Sequence, residues 1–399
     1  MIGKNLKFNN YKLYLFLIYF FWATSICLYF FFNEYVKAGN LEDGVKLGND
    51  SYLYLNLTQN ILDGNSSFLD YKSKFGYLLF LLPFLYFDLP LVYVVYFQII
   101  LTAIGAFCLY KVTEKYFEKQ SAIICIFIFL FYFPIQIRNF YILTEILFID
   151  LSLILTFFIV FFKKKYIPVI IILLISLISI RPNGILFPFS LIFCILYFLI
   201  EQKKKKYLSL LLILIVIISL PIYQLINEYF ENLNFIDSLN RGIIWGWSFE
   251  NNEVCKASCL SVELINNNYD NNLFGYLQFV IINFYEYFKL FFLKIFWLIA
   301  RARPYYSDLH NYYITIFNLI ILPGFVYGFI KRPRKNFSVN FILFFILFSI
   351  ILVGLTFADW SGRFSLYILP FVMIFSSFGI LIFIKKILKI IYQKGNNTF

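Results

Sequence analysis

The sequence predicts an all-α polytopic membrane protein, a single membrane domain over 1–399 built as a bundle of about ten transmembrane helices. Three observations carry this. The chain of 399 residues is 61% hydrophobic and only 14% charged, with a mean hydropathy of +0.78. A soluble domain does not hold that much apolar surface. Apolar runs recur along the whole length, and short basic clusters stand between alternate runs, which is the charge pattern of membrane topology.

Runs long enough to cross a bilayer occur at about 13–32, 90–110, 121–137, 144–162, 166–180, 184–200, 207–226, 311–330, 337–355 and 364–384. The stretch 166–200 is interrupted at 181–184 by Arg-Pro-Asn-Gly, which reads as a tight turn between two helices. The first run is too long in its apolar core for a cleaved signal, and no small-residue cleavage site follows it. Residues 275–300 are also apolar, but Glu286, Lys289 and Lys294 interrupt them. A crossing there would move the later basic clusters to the wrong side. The segment is therefore expected to lie on the outer surface or to enter partway. The same holds for 75–87, which is short and contains Pro83.

Charge sets the expected orientation. Lys4, Lys7 and Lys12, the groups at 111–119, 163–165, 203–206 and 331–335, and the C-terminal lysines hold 21 of the 34 basic residues. Only Glu114, Glu118 and Glu201 oppose them. Ten spans place every one of these clusters on one side, which is then cytoplasmic, with both termini inside. The net charge of +12 is this topology signal and not a nucleic-acid footprint. The external face carries a long first loop, about 33–89, and a second long segment, about 227–310. The C-terminal tail is basic and short, with no room for a soluble C-terminal domain. Function is expected on the external loops.

Asp50 opens the first external loop, and two roles are open to it. It is placed to cap a helix over about 51–62, with Gly64 just past the end. It is also placed to act as a general base near the membrane surface. The cations on the same side are Arg363, Arg181, Arg301, Arg303, Lys294 and His310, with Arg138 a weaker candidate. A guanidinium matches phosphate oxygens in a bidentate way. The alternative is snorkelling at the interface. Glu145 and Asp150 share a helix but not a face, being five residues apart. Glu145 is expected to pair with Arg181 or Arg138 or to bind an acceptor, and Asp150 to pair structurally or to serve function. Asp359 is close enough to pair with Arg363. Trp245, Trp247, Trp297 and Trp360 read as an interfacial belt. Cys255 and Cys259 lie in a polar loop, where an external position is compatible with a local disulfide. One histidine and no second cysteine pair give no zinc site, and no metal is expected.

The first-loop stretch DSYLYLNLTQNILDG resembles that of GT-C fold glycosyltransferases, which include the protein O-mannosyltransferases and the lipid A aminoarabinose transferases. KFGYLLFLLPFLYF at 74–87 resembles their juxtamembrane helix, with Lys74-Phe75 where a Pro is usual. NFYILTEILFIDL at 139–151, SIRPNGILF at 179–187 and DWSGRFSLYILPF at 359–371 resemble later motifs in the same order. The pattern covers nearly the whole chain. The resemblance implies transfer of a sugar, with inversion, from a polyprenyl-phosphate carrier to a glycan, lipid or protein acceptor on the external face of an inner membrane. It implies no cofactor, with membrane lipids and the lipid-linked sugar as partners. The family's first-loop acid carries over to Asp50 only, as the base; the phosphate leaving group calls for cations, and those named above are placed to supply them. A second acid often stands beside the first in that family; here Asn49 and Ser51 flank Asp50. A polytopic transporter, a lipid-linked-glycan flippase or a polymerase is the competing class, against which stand the absence of a clear repeat and the gathering of polar residues at one face.

Overall fold

The computed structural model describes residues 11–35, 41–42, 45–67, 74–203, 244–246, 269–303, 306–333, 335–356, 358–359 and 362–396. Nearly all of them are helical. The chain divides into two compact units: Met1–Pro188, Ile320–Ile342 and Leu366–Phe399 form the first, and Phe189–Leu319 with Leu343–Ser365 the second.

The helices are α1 (Tyr11–Tyr35), α2 (Asn49–Leu62), α3 (Phe75–Tyr86), α4 (Val92–Tyr116) and α5 (Lys119–Phe131). There follow α6 (Phe133–Gln136), which runs into a 3-10 turn at Ile137–Phe140, then α7 (Thr144–Val160), α8 (Ile167–Ile180) and α9 (Leu186–Glu201). The later described helices are α10 (Leu273–Ile282), α11 (Phe284–Ala300), α12 (Asp308–Lys331), α13 (Phe337–Leu355), α14 (Arg363–Leu366) and α15 (Leu369–Asn396). In an apolar medium a helix is the element that satisfies its own backbone, and these sequences give it an apolar surface. Two-residue strands complete the list: β1 (Leu41–Glu42) antiparallel to β2 (Val45–Lys46), and β3 (Trp245–Gly246) parallel to β4 (Ala358–Asp359).

Six helices among the described residues are long and apolar enough to cross a membrane: Tyr11–Tyr29, Val92–Tyr116, Pro182–Glu201, Asp308–Lys331, Phe337–Leu355 and Leu369–Ile391. A seventh arises if α5 and the α6 turn, bent by 57° at Tyr132, count as one broken span. The chain is a multi-pass helical membrane protein. The runs expected at 144–162 and 166–180 form helices of 17 and 14 residues. At 1.5 Å per residue these are ~25 and ~21 Å long, short of a ~30 Å hydrocarbon core. The run at 207–226 lies outside the described residues, as do Cys255 and Cys259. Residues 275–300 are not one helix. The chain breaks at Asn283, leaving α10 and α11 as separate pieces.

The capping role expected of Asp50 is corrected. Gly48 is the N-cap of α2, in an extended conformation, and its N–H donates to Ser51 Oγ at 3.1 Å. Asp50 sits inside the first turn, where its charge favours the positive end of the helix dipole. The other end follows expectation. Gly64 has φ +73°, its N–H donates to the Ile61 carbonyl, and that of Asn65 donates to the Asn60 carbonyl. This is a Schellman stop, and glycine supplies its left-handed residue without strain.

In the first unit Lys115 and Lys385 lie at the C-terminal end of α7. Lys115 reaches the Val160 carbonyl at the C-terminus of α7 and lies over the Phe161 ring at 4.5 Å. Lys385 of α15 pairs with Glu118. Phe117 stacks on Phe378 at 4.3 Å beside them. Glu145 begins α7, so it stands at the opposite end of that helix, ~22 Å away along its axis.

Helices α12 and α15 cross closely through glycine. A Cβ on Gly328 would meet the Phe375 carbonyl oxygen at 2.0 Å, and one on Gly379 would meet that of Gly324 at 2.0 Å. Small residues four apart let helix backbones approach in a membrane, where tight packing drives association. Ser376 adds a hydrogen bond to the Ile321 carbonyl at 2.9 Å. Gly328→Val or Gly379→Val must push the helices apart. Each is expected to cost about 1–3 kcal/mol or more, as overpacking does. Thermal unfolding in detergent measures this; an unchanged midpoint for both would contradict the crossing.

Candidate functional site

The first unit gathers a group of charged and phenolic side chains at the end of α7 opposite the lysines. Asp50 is half-buried in the first turn of α2. Tyr54 is four residues on, hence on the same helix face, and only 7% exposed. Its ring meets that of Tyr77 edge-on, with centroids 5.0 Å apart. Gly76 lets α3 reach α8 here: a Cβ on it would meet Ser179 Oγ at 2.2 Å. Lys74 precedes α3, and its ammonium lies 5.4 Å from the centroid of the Tyr54 ring, a cation–π distance.

Glu145 and Arg181 close the group. Glu145 lies in the first turn of α7 and is 1% exposed. Arg181 ends α8, because Pro182 next to it begins a 3-10 turn and cannot continue the helix. Arg181 Nη1 stands 3.1 Å from Glu145 Oε1. The guanidinium also lies 5.8 Å from the Tyr367 ring centroid, and Asn183 donates to the Tyr367 hydroxyl. The expected pairing of Glu145 is therefore with Arg181. Arg138 is half-buried on the 3-10 turn and lies over Tyr141 at 5.6 Å.

The electrostatics follow from burial and these neighbours. Burial pushes the Tyr54 phenol up to about 12; the negative charges of Glu145 and Asp50 act in the same direction, while Arg181 and a Thr144 hydrogen bond oppose them. Burial also raises Tyr77 well above the usual phenol range, helped by Glu145 and Tyr54. Both phenols stay neutral near pH 7. The Tyr77 hydroxyl is buried with no hydrogen-bond partner among the described residues. Lys74 is held below the usual lysine range by burial, with Asp50 drawing it up and Arg181 drawing it down. Chemically the group offers a half-exposed carboxylate at the rim and an ammonium coupled to it. A fixed ion pair and neutral phenols form the wall.

Asp150 does not join this group. It is fully buried, about 140° around the helix from Glu145, and lies 2.8 Å from Thr102 Oγ1. The remaining cations belong to the second unit. Lys294 is fully buried, and its ammonium donates to the Thr356 carbonyl at 2.5 Å. Burial pushes it down to about 7. Arg301, at φ +59° past the end of α11, donates to Asn318 Oδ1 and lies over Phe317 at 5.1 Å. Arg303 donates to the carbonyls of Trp297 at 2.8 Å and Ala302 at 3.1 Å, and Asn311 brackets its backbone. Both arginines are buried and serve their own unit as connectors. His310 is exposed and stacks on Tyr306 at 4.4 Å. Arg363 opens α14, half-buried. The side chain of Asp359 lies outside the described residues, so its pairing with Arg363 does too. Among the described residues, no three His, Cys, Asp or Glu side chains gather as metal ligands.

Sequence reasoning missed Lys74, Tyr54, Tyr77 and Tyr367. The four-residue step from Asp50 to Tyr54 was a usable signal. Lys74 stood out only as a departure from the pattern the stretch resembles. No protein-family model, curated protein or solved structure matches the chain.

Removing one partner of a buried ion pair leaves the other charge uncompensated. Arg181→Ala is expected to destabilise the protein by about 3–5 kcal/mol, and Glu145→Ala similarly. The double variant should lose much less than the sum. A double-mutant cycle on thermal unfolding checks this, and strict additivity would contradict the pairing.

Proposed function

We propose that the chain is an inverting glycosyltransferase of the GT-C type, moving a sugar from a polyprenyl-phosphate carrier to a glycan, lipid or protein acceptor. The observation that supports it is Asp50 beside Lys74, held over the buried Tyr54 and Glu145–Arg181 wall at one end of the first unit. Inversion by direct displacement needs one carboxylate. Asp50 takes the proton of the acceptor hydroxyl. The acceptor oxygen bonds to the anomeric carbon as the bond from that carbon to the phosphate oxygen breaks. The electron pair leaves on the lipid phosphate. That phosphate is stable, so it calls for a cation and not an acid. Lys74 supplies this cation, with Arg181 behind it.

Lys115 and Lys385 at the far end of α7, members of two of the basic clusters, support the orientation. The reaction then lies on the external side of the inner membrane, the termini are cytoplasmic, and the bundle has about ten spans, with α2 and α3 juxtamembrane. One observation favours a transporter instead: the 57° break at Tyr132, since discontinuous helices often build substrate sites.

The test compares sugar transfer by wild type and by Asp50→Asn, in membranes supplied with polyprenyl-phosphate sugars and native acceptors. Gly48, not Asp50, is the cap of α2, so the substitution leaves the helix start intact. Loss of a general base is expected to slow transfer about 10²–10⁴-fold, with folding unchanged. Lys74→Met should weaken use of the donor. Transfer by Asp50→Asn at the wild-type rate would remove Asp50 from the chemistry. Absence of transfer by the wild type with every carrier would favour the transporter.

A further inference from the structure

Asp150 is fully buried, and the proposed reaction gives it no task. It stands at one end of a buried set of polar side chains drawn from α1, α4, the α6 turn and α7. The direction of each hydrogen bond in this set follows from what each atom can give.

Trp22 stands at the other end of the set. Its Nε1 is a donor only, and it lies 2.9 Å from Gln136 Oε1. Gln136 Nε2 donates to the Phe129 carbonyl at 2.9 Å. Both ends of the Gln136 amide are thus fixed. Asn139 Nδ2 lies 3.2 Å from the Gln136 carbonyl and 3.4 Å from Gln136 Oε1. Both neighbours are acceptors, so the Asn139 nitrogen must face them. Its Oδ1 must then face the other way, and it meets Thr102 Oγ1 at 2.8 Å. A carbonyl oxygen only accepts, so Thr102 gives its single proton to Asn139. Thr102 Oγ1 also lies 2.8 Å from Asp150 Oδ2. Its proton is committed, so there it accepts. The proton in that contact has to come from Asp150.

We infer that Asp150 is a proton-binding site within the bundle: its Oδ2 carries a proton at neutral pH and donates it to Thr102, at the head of a one-way chain through Asn139 to Gln136. A second observation agrees. Asp150 Oδ1 is buried without a hydrogen-bond partner among the described residues, and it faces Gly105, whose Cβ would stand 2.9 Å from it. A bare oxygen in such a place is tolerable on a neutral acid and costly on a carboxylate. Among the described residues no cation pairs with Asp150, and the titratable neighbour on α4 that feels its charge is the Cys108 thiol. On its own helix the nearest acid is Glu145, which is engaged with Arg181.

The site has a consequence for α7. Without the proton, Asp150 Oδ2, Thr102 and Asn139 Oδ1 share one hydrogen between two contacts, and one of these contacts loses its hydrogen bond. Asn139 sits in the 3-10 turn that leads into Thr144 and Glu145. Gln98 also holds this turn, donating to the carbonyls of Asn139 at 2.8 Å and Tyr141 at 3.1 Å. The inference stands on these contacts alone and does not depend on the glycosyltransferase reading.

Infrared spectroscopy of the purified protein, labelled with carbon-13 on aspartate, reads the proton directly. An isotope-shifted carboxylic-acid carbonyl band is expected at neutral pH in the wild type, absent in Asp150→Asn and moved to higher frequency in Thr102→Val. Asp150→Asn places an amide N–H where the acid O–H stood, so it should melt with the wild type, whereas Asp150→Leu should melt lower. No such band in the labelled wild type, or a band that appears only after sodium is removed, would overturn the inference. The wild-type spectrum decides even if the variants fail to fold.

Discussion

The buried ion pair of Glu145 and Arg181 is the constraint around which the first unit is arranged. A charge with 1% exposure in a membrane protein cannot stand alone. Its partner must therefore arrive from another helix at the same depth. This fixes where α8 ends, and Pro182 makes it end there. The turn that follows brings Asn183 to Tyr367 and so ties in the start of α15. The same pair sets the field in which Tyr54, Tyr77 and Lys74 sit. Two charges hold three helix ends, and the half-exposed Asp50 is displayed against them.

Much of this was legible from residue order. Glu145 and Arg181 both stand where an apolar run meets a turn on the side that the charge pattern predicts to be external, so a match between them was readable from residue order. The Schellman stop at Gly64 follows from the glycine. Other features depend on register that composition does not carry. Asp50 looks like a cap because aspartate often is one. The extended Gly48 and the Ser51 hydroxyl that takes its amide proton leave no room for that role. The break at Asn283 has no proline or glycine to announce it, and it turns an apparent 26-residue apolar stretch into two helices. Lys74 reaches Tyr54 across a connection whose length does not fix its direction. Arg301 and Arg303 look available in sequence, but they are buried against amides and carbonyls.

The two units use their buried cations differently. In the second unit Arg301, Arg303 and Lys294 donate to neutral carbonyl oxygens, which ties helix ends together. In the first unit Arg181 meets a full negative charge and Lys74 feels one. A cation on a carbonyl is a brace. A cation beside a half-exposed carboxylate is the arrangement on which the proposed chemistry rests.

The glycine crossing of α12 and α15 has a further meaning if the proposed lipid-linked donor is the substrate. Gly328 meets the Phe375 carbonyl and Gly379 that of Gly324, so there backbone touches backbone. At that height the two helices form a seam, closed to an acyl or isoprenoid tail. Under the proposed reading, a lipid-linked donor approaching the bundle sideways would enter along some other pair of helices.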